Sequence, residues 1–329
     1  MKRSLILLVV ALMVIPGKAQ YYPSQSLEIP VKPMDPYWHR GNLFQHLDVG
    51  LSLGTSGFGI EVASPVCQYA QVRVGYELMP HFKKQKGIDV LVGGQTSHQY
   101  DGIGNRKETN YDKARELMYS ETGLDMYDHV NFTGRFTMQN FKLLVDVFPM
   151  KENKNLHVTV GFYWGPSEIA NFQNDSGYDG TVACITAYNK KYYEASDGDE
   201  IKSYGPAGVN GGIYKDDIKD ADGKVIHSAG SNYLLTGGNQ GSIKVSVKTN
   251  SFKPYLGVGY TSIFTKKRKD IKWAANAGVM FWGGTPSMYT PDGINMTKDL
   301  KYEGWGTVSL ISKLIVYPTI SFRVVKNIF

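Results

Sequence analysis

Apolar and polar residues alternate with a period of two in eight separated segments, and no other feature constrains the fold of this chain as tightly. The first segment sets Leu47, Val49, Leu51 and Leu53 against Asp48, Gly50, Ser52 and Gly54. A period of two sends successive side chains to opposite faces of a strand, so each segment reads as a strand with one apolar face. The others run Phe58–Ala63, Gln71–Leu78, Phe141–Val147, Val158–Trp164, Leu256–Tyr260, Trp273–Phe281 and Thr319–Val324. Composition agrees: 36 glycines and 22 tyrosines among 329 residues suit turns and strands, and long helix-forming stretches are scarce. The expected class is all-β.

The N-terminus sets the compartment. Lys2 and Arg3 precede an apolar run from Leu5 to Ile15 and a small-residue exit from Gly17 to Ala19. That run is about half the ~20 residues a membrane helix needs, so it reads as a signal peptide (1–19) cleaved near Ala19. No cysteine stands at the cleavage site, so a lipoprotein anchor is not expected. Residues 20–45, rich in Pro, Ser and Tyr, read as a periplasmic lead-in, and 46–329 as one β domain. The net charge of +6 falls to +3 once Lys2, Arg3 and Lys18 leave, which gives no support to nucleic-acid or polyanion binding.

Connection lengths alternate. The turns at 64–68, 149–156 and 262–270 are short, whereas the links at 80–136, 165–250 and 283–314 are long and polar; only the 54–57 turn is short on the long-link side. Outer-membrane barrels have short periplasmic turns, long outside loops and an even strand number. The pattern therefore predicts an antiparallel transmembrane β-barrel of eight strands with long extracellular loops. Ten strands are the alternative, should Ile243–Val247 and a partner near 130–136 or 86–92 also enter the membrane; these segments could equally extend above it as hairpins. Residues 111–119 could form a helical turn.

Four segments resemble a poorly characterised family of Gram-negative outer-membrane barrels with members typical of the Bacteroides group. They are LDVGLSLGTSGFGIEVASPVCQYAQVRVGYELMP (Leu47–Pro80), FKLLVDVFPMKENKNLHVTVGFYWG (Phe141–Gly165), KPYLGVGY with WAANAGVMFWGGTP (Lys253–Pro286), and the C-terminal YPTISFRVVKNIF. The resemblance implies the broad OmpA-type barrel class and no enzymatic activity or ligand. Phe329 is the residue type that barrel assembly machinery reads at a C-terminus. The alternation before it breaks at Arg323 and Asn327, and a bulge near Val324 and Val325 would restore the phase.

The inward faces should carry Asp48, Glu61, Arg73, Glu77, Lys142, Asp146 and Arg323, near balance in sign. An eight-stranded barrel is narrow enough for side chains to fill, so these groups are expected to pair across the lumen as a structural network instead of lining a channel. Tyr69, Phe148, Tyr260 and Trp273 towards the periplasm, and Phe162, Trp164 and Phe281 towards the outside, fit two interfacial girdles.

Chemistry-bearing motifs are weak. The histidines are scattered, and His46 with Asp48 has no adjacent nucleophile, so no catalytic residue is expected. Asp216–Gly223 has part of a calcium-loop spacing, but Ile218 and Ala229 occupy ligand positions, so no metal site is expected. Gly54, Gly57 and Gly59 follow no strand-to-helix pattern, which excludes a nucleotide cofactor site. Lys266, Lys267, Arg268 and Lys269 fall in an expected periplasmic turn and read as solvated or facing lipid headgroups. Cys67 and Cys184 fall on opposite sides of the expected membrane and should not pair. The leading expectation is a non-enzymatic outer-membrane protein, with outer-membrane lipid as its surroundings and an unknown external ligand for its loops. The alternatives are a barrel enzyme acting on lipid or peptide, and a soluble exported β protein.

Overall fold

The computed structural model describes residues 47–328, apart from Gln68, 81–82, 151–154, 238–240, 266–267 and 302–313. All of them belong to one compact unit, Trp38–Phe329. The expected signal peptide, the lead-in, His46 and Phe329 lie outside the described residues.

Eight strands close an antiparallel barrel: β1 (Asp48–Gly54), β2 (Gly57–Cys67), β3 (Ala70–Leu78), β6 (Gln139–Val147), β7 (Leu156–Trp164), β14 (Phe252–Thr265), β15 (Arg268–Phe281) and β18 (Val316–Asn327). Around the wall they run β1-β18-β15-β14-β7-β6-β3-β2. Closure leaves no free edge, and the alternation read from the sequence separates inside from outside. Leu51, Ile60, Val258 and Ile320 are exposed on the outer face, while Ser52, Glu61, Thr159 and Thr319 are buried on the inner one. The β1–β2 hairpin turns in two residues, with Gly57 at φ 113; a Cβ there would stand 2.1 Å from the Leu78 carbonyl oxygen, so only glycine fits.

Two expectations need correction. Pairing between β18 and β1 is uninterrupted from Asp48↔Asn327 to Gly54↔Ser321, so no bulge occurs near Val324 and Val325. Val325 keeps the alternation by facing inward against Gly50, whose missing side chain leaves room for it. The turns expected over 64–68 and 262–270 are both tighter, because β2 and β3 stay paired as far as Cys67↔Ala70, and β14 and β15 as far as Thr265↔Arg268. Backbone hydrogen bonding continues there after the apolar alternation has faded, and Arg268 and Lys269 are strand residues.

The remaining strands form β4 (Lys83–Val92), β5 (His129–Phe136), β8 (Glu168–Asn174), β9 (Ala207–Tyr214), β10 (Ile218–Lys219), β11 (Val225–His227), β12 (Asn232–Leu235), β13 (Lys244–Lys248), β16 (Ser287–Tyr289) and β17 (Leu300–Lys301). The segments that a ten-stranded barrel would need are β4, β5 and β13, and all three lie in a second sheet of order β12-β9-β4-β5-β8-β13-β16, so the barrel has eight strands.

Five of these strands prolong the barrel wall. In the barrel β3, β6, β7, β14 and β15 are neighbours, and the segments joined to them, β4, β5, β8, β13 and β16, are neighbours in the same order. Backbone bonds carry the ladder over the junction: Met79 N to Met138 O at 2.9 Å, Thr137 N to Ile169 O at 2.9 Å, Gly165 N to Ser251 O at 3.1 Å, and Thr249 N to Ser167 O at 2.8 Å. Across β18, β1 and β2 the described wall has only the short 54–57 hairpin.

Helices pack with this extension: α1 (Asn110–Thr122), α2 (Asp179–Glu194), α3 (Glu200–Tyr204) and α4 (Met296–Asp299). In α1 Tyr111, Ala114 and Met118 recur at helical spacing and are buried; in α2 Val182, Cys184, Ile185 and Tyr188 do the same. Helix α1 starts where the Asp112 carboxylate accepts hydrogen bonds from the Thr109 N–H (2.9 Å) and hydroxyl (3.0 Å), and ends at Gly123 in the left-handed conformation, φ 67.

Candidate functional site

The lumen is filled by a charge network. Glu61 is its hub, with Arg73 Nη1 at 3.3 Å, Lys142 Nζ at 2.8 Å and Arg323 Nη1 at 2.8 Å. Asp146 is the second anchor. Arg73 Nη2 donates to its Oδ1 at 2.8 Å, Arg73 Nε stands 2.7 Å from Oδ2 out of line for a hydrogen bond, Arg323 Nη2 lies at 3.3 Å, and the Thr159 hydroxyl donates at 2.7 Å. Lys142 also reaches Glu77 at 2.6 Å. Three cations thus meet three carboxylates, all buried. Gly75 makes room for them: a Cβ there would sit 2.8 Å from Lys142 Cε and 2.9 Å from Glu61 Cβ.

Six of the seven residues read from the sequence converge in this way. Asp48 does not: it accepts a hydrogen bond from the Asn327 amide at 3.1 Å, and no ion pair of Asp48 is found among the described residues. Sequence reasoning also missed members of the lumen. Lys253 is fully buried and donates to Asn140 Oδ1 at 3.2 Å, and His157 Nε2 meets Asn276 Oδ1 at 2.9 Å. The parity of their strands could have found them, since Lys253 shares a face with Gly257 and Gly259, and His157 with Thr159.

Apolar groups lie at both ends of the lumen. At the loop end Tyr163, Tyr255, Met280 and Trp282 join one core with Met138, Ile169, Val245 and Met288 of the extension. At the other end Phe148 is buried against His157, ring centroids 5.5 Å apart. Phe148 is therefore not an outer-girdle residue, because its place in the alternation puts it on the face of Leu144 and Asp146. Tyr69 lies in the tight β2–β3 turn, half-buried. The other girdle aromatics lie on the outer wall: Phe162 beside Phe252 at 5.0 Å near the loop end, and Trp273 between Tyr260 (5.8 Å) and Phe322 (6.0 Å) near the terminal end.

Outside the barrel, the extension inverts this polarity. Its inner face carries Val130, Phe132, Val245, Val247 and Met288, all buried, whereas on β4 Lys84 and Lys86 share that face and are exposed. Its outer face carries Gln85, Arg135, Asn171, Gln173, Lys244, Ser246, Lys248 and Tyr289, partly or fully exposed. At the far end Asp128 takes His129 Nδ1 at 2.7 Å and His98 Nε2 at 3.3 Å, while the Ser97 hydroxyl meets His98 Nδ1 at 2.9 Å. Burial pulls Asp128 upward, but the His129 hydrogen bond and the two imidazoles hold its carboxyl below the usual range. Ser97 is 4% exposed and also donates to Asp128, so the group fastens the 93–109 segment to β5 and presents no accessible nucleophile. A cleft of about 400 Å³ lies among Leu117, Lys191, Glu194, Asp199, Ile201 and Tyr204. The Asp-rich run folds as the β10–β11 hairpin, with Asp220 accepting from the N–H groups of Asp222 and Lys224. Among the described residues no group of three His, Cys, Asp or Glu is placed to hold a metal. Cys184 is buried in α2, which pushes its thiol up to about 11; Cys67 is exposed at the opposite end of the barrel.

No protein-family model matches the chain, and no curated protein does. Solved structures align with it at low identity. CarO2 of Acinetobacter baumannii is 13% identical over 87% of this chain and 99% of its own, at a TM-score of 0.37. CarO of the same organism is 11% identical over 85% and 96%, at 0.34. A major outer membrane protein from Thermus thermophilus is 11% identical over 86% and 98%, at 0.29.

Proposed function

We propose that this protein is an integral outer-membrane barrel with a closed lumen, non-enzymatic, which holds its loop-built domain outside the cell as a surface for binding or envelope integrity. One observation carries the reading: the wall is apolar outside and polar inside along the barrel, then polar outside and apolar inside along β5, β8, β13 and β16 of the extension. A change of surrounding solvent from lipid to water accounts for that inversion in a single sheet. From Phe252 to Tyr260 the outer band of β14 rises about 20 Å at the ~40° tilt usual for such strands, close to the ~25 Å apolar band of outer-membrane barrels. The lumen charges then act as a structural filling, and their mutual pairing, with buried apolar groups at both ends, argues against a porin. The Bacteroides-type affiliation rests on the four quoted segments, and recognition of Phe329 by assembly machinery on its residue type.

Fractionation tests the reading. The protein is expected with outer membranes, released by detergent only, migrating faster on a gel before boiling than after. In planar bilayers it is expected to give no porin-sized conductance. Release by osmotic shock, or large stable conductance steps, would contradict it.

A further inference from the structure

The outer face of the extension is segregated by charge along its height. Cross-strand register defines its rows. Nearest the barrel lie Glu168, Lys248 and Ser287; next Lys83, Arg135, Asn171, Ser246 and Tyr289; then Gln85, Thr133, Gln173 and Lys244. These rows hold four cations, Lys83, Arg135, Lys244 and Lys248, against one carboxylate. That carboxylate, Glu168, is already engaged by Lys244 at 3.3 Å, the Asn171 amide at 2.9 Å and the Ser246 hydroxyl at 3.1 Å. Farther out the sign reverses: Asp89 pairs across to His129, and Asp175 accepts from Gln85 and Thr133. A face that meets only water requires no such sorting.

The cationic rows begin where the apolar band ends. Lys248 precedes the exposed Phe252 by four residues, about 10 Å at the usual strand rise and tilt, and Arg135 precedes the exposed Phe141 by six. Lys83 and Arg135 are directly opposed and exposed, and among the described residues neither has a carboxylate partner. Lys248 lies over the Tyr289 ring at 5.3 Å, which holds it along the wall. Amide and hydroxyl groups from Gln85, Asn171, Gln173 and Ser246 stand among the cations, a combination that suits sugar hydroxyls beside phosphates.

We infer that this face is a binding site for the phosphorylated sugar headgroup of an outer-leaflet glycolipid, with Lys83, Arg135 and Lys248 on the phosphates and the amide rows on the sugar. The inference rests on the outer-membrane reading. It adds a specific lipid contact on one side of the barrel, the side of β3, β6, β7, β14 and β15, where the wall is tall.

The test uses the full chain purified in detergent, with lipid adducts counted by native mass spectrometry. The probes are bisphosphorylated lipid A, the same lipid A with its phosphates removed, and inorganic phosphate as competitor. Lys83→Gln, Arg135→Gln and Lys248→Gln together are expected to weaken bisphosphorylated lipid A about tenfold or more. Binding of the dephosphorylated lipid should be unchanged, Lys224→Gln on the β10–β11 hairpin should have no effect, and the heat-dependent gel shift should be retained. Equal binding of both lipids, an unaffected triple variant, or displacement by inorganic phosphate would overturn the inference. Those results in a protein that still fractionates with membranes would defeat the lipid site alone, whereas a protein that never enters the membrane fraction defeats the underlying reading.

Discussion

The barrel and the extension are built from the same five-stranded wall, yet each is the other turned inside out. In the barrel Val258, Val160 and Val74 face outward and Arg73, Asp146 and Lys142 inward; a few residues farther along, Phe132, Val245 and Val247 face inward and Arg135, Lys244 and Ser246 outward. The ladder does not break between them, so pairing chemistry is shared and only the partition of side chains differs. A sheet folds with either polarity; what surrounds it selects which one is stable.

The largest expected effect lies inside the barrel. Glu61→Gln leaves Arg73, Lys142 and Arg323 around a neutral amide in a buried site, and is expected to cost about 3–5 kcal/mol. Loss of the heat-dependent gel shift at lower denaturant concentration would register it, and an unchanged midpoint would show that the network contributes nothing to stability.

A pair of arginine substitutions sharpens the contrast. Val258→Arg places a charge on the outer face of β14 and should destabilise by about 2–4 kcal/mol if that face meets lipid. Ser246→Arg, on the outer face of β13 in the same wall, should stay within about 0.5 kcal/mol. Equal effects at the two sites would erase the distinction.

The smallest effect lies in the helices that cover the extension. Asp112 anchors the start of α1 and also takes Arg106 Nη2 at 2.5 Å. Burial alone would raise its pKa, but hydrogen bonds from Thr109 and Arg106 outweigh that and hold it below the ordinary carboxylate range. A depressed folded-state pKa means its contribution is present above the unfolded value near ~3.9 and is lost as pH falls through the folded one. Asp112→Ala should cost about 1 kcal/mol at neutral pH, and the deficit should vanish on acidification. Hydrogen exchange in Asn110–Thr122 reads both; a deficit independent of pH would exclude the carboxylate as its source.

Much of the barrel was legible because its signal is local. Alternation marked all eight strands, and parity alone put Glu61, Arg73, Glu77, Lys142, Asp146 and Arg323 on the inner face. Errors came where a local rule met a tertiary one. Val325 faces inward because Gly50 lies opposite it, a fact of register that no window of sequence holds, and β14 continues to Thr265 on backbone pairing after its apolar pattern ends. The extension was the least legible. Its strands are short and separated by up to a hundred residues, and β4, β5 and β13 became a sheet only because the barrel beneath brings their ends together. Lys83, Arg135 and Lys248 are ordinary surface residues taken singly in the sequence and form a group only through that register.

On this account the wall crosses from lipid to water between Lys248 and Phe252 on the β13–β14 line, and everything else depends on that crossing. Single cysteines at Ser246, Lys248, Phe252, Leu256 and Val258, in a chain with Cys67 and Cys184 replaced by serine, can carry a nitroxide whose collisions with oxygen and with a water-soluble nickel chelate are measured after reconstitution into bilayers. Nickel access is expected at 246 and 248, oxygen access at 256 and 258, and a crossover near 252. Uniform nickel access along the whole line would contradict it and leave a β protein surrounded by water on every side.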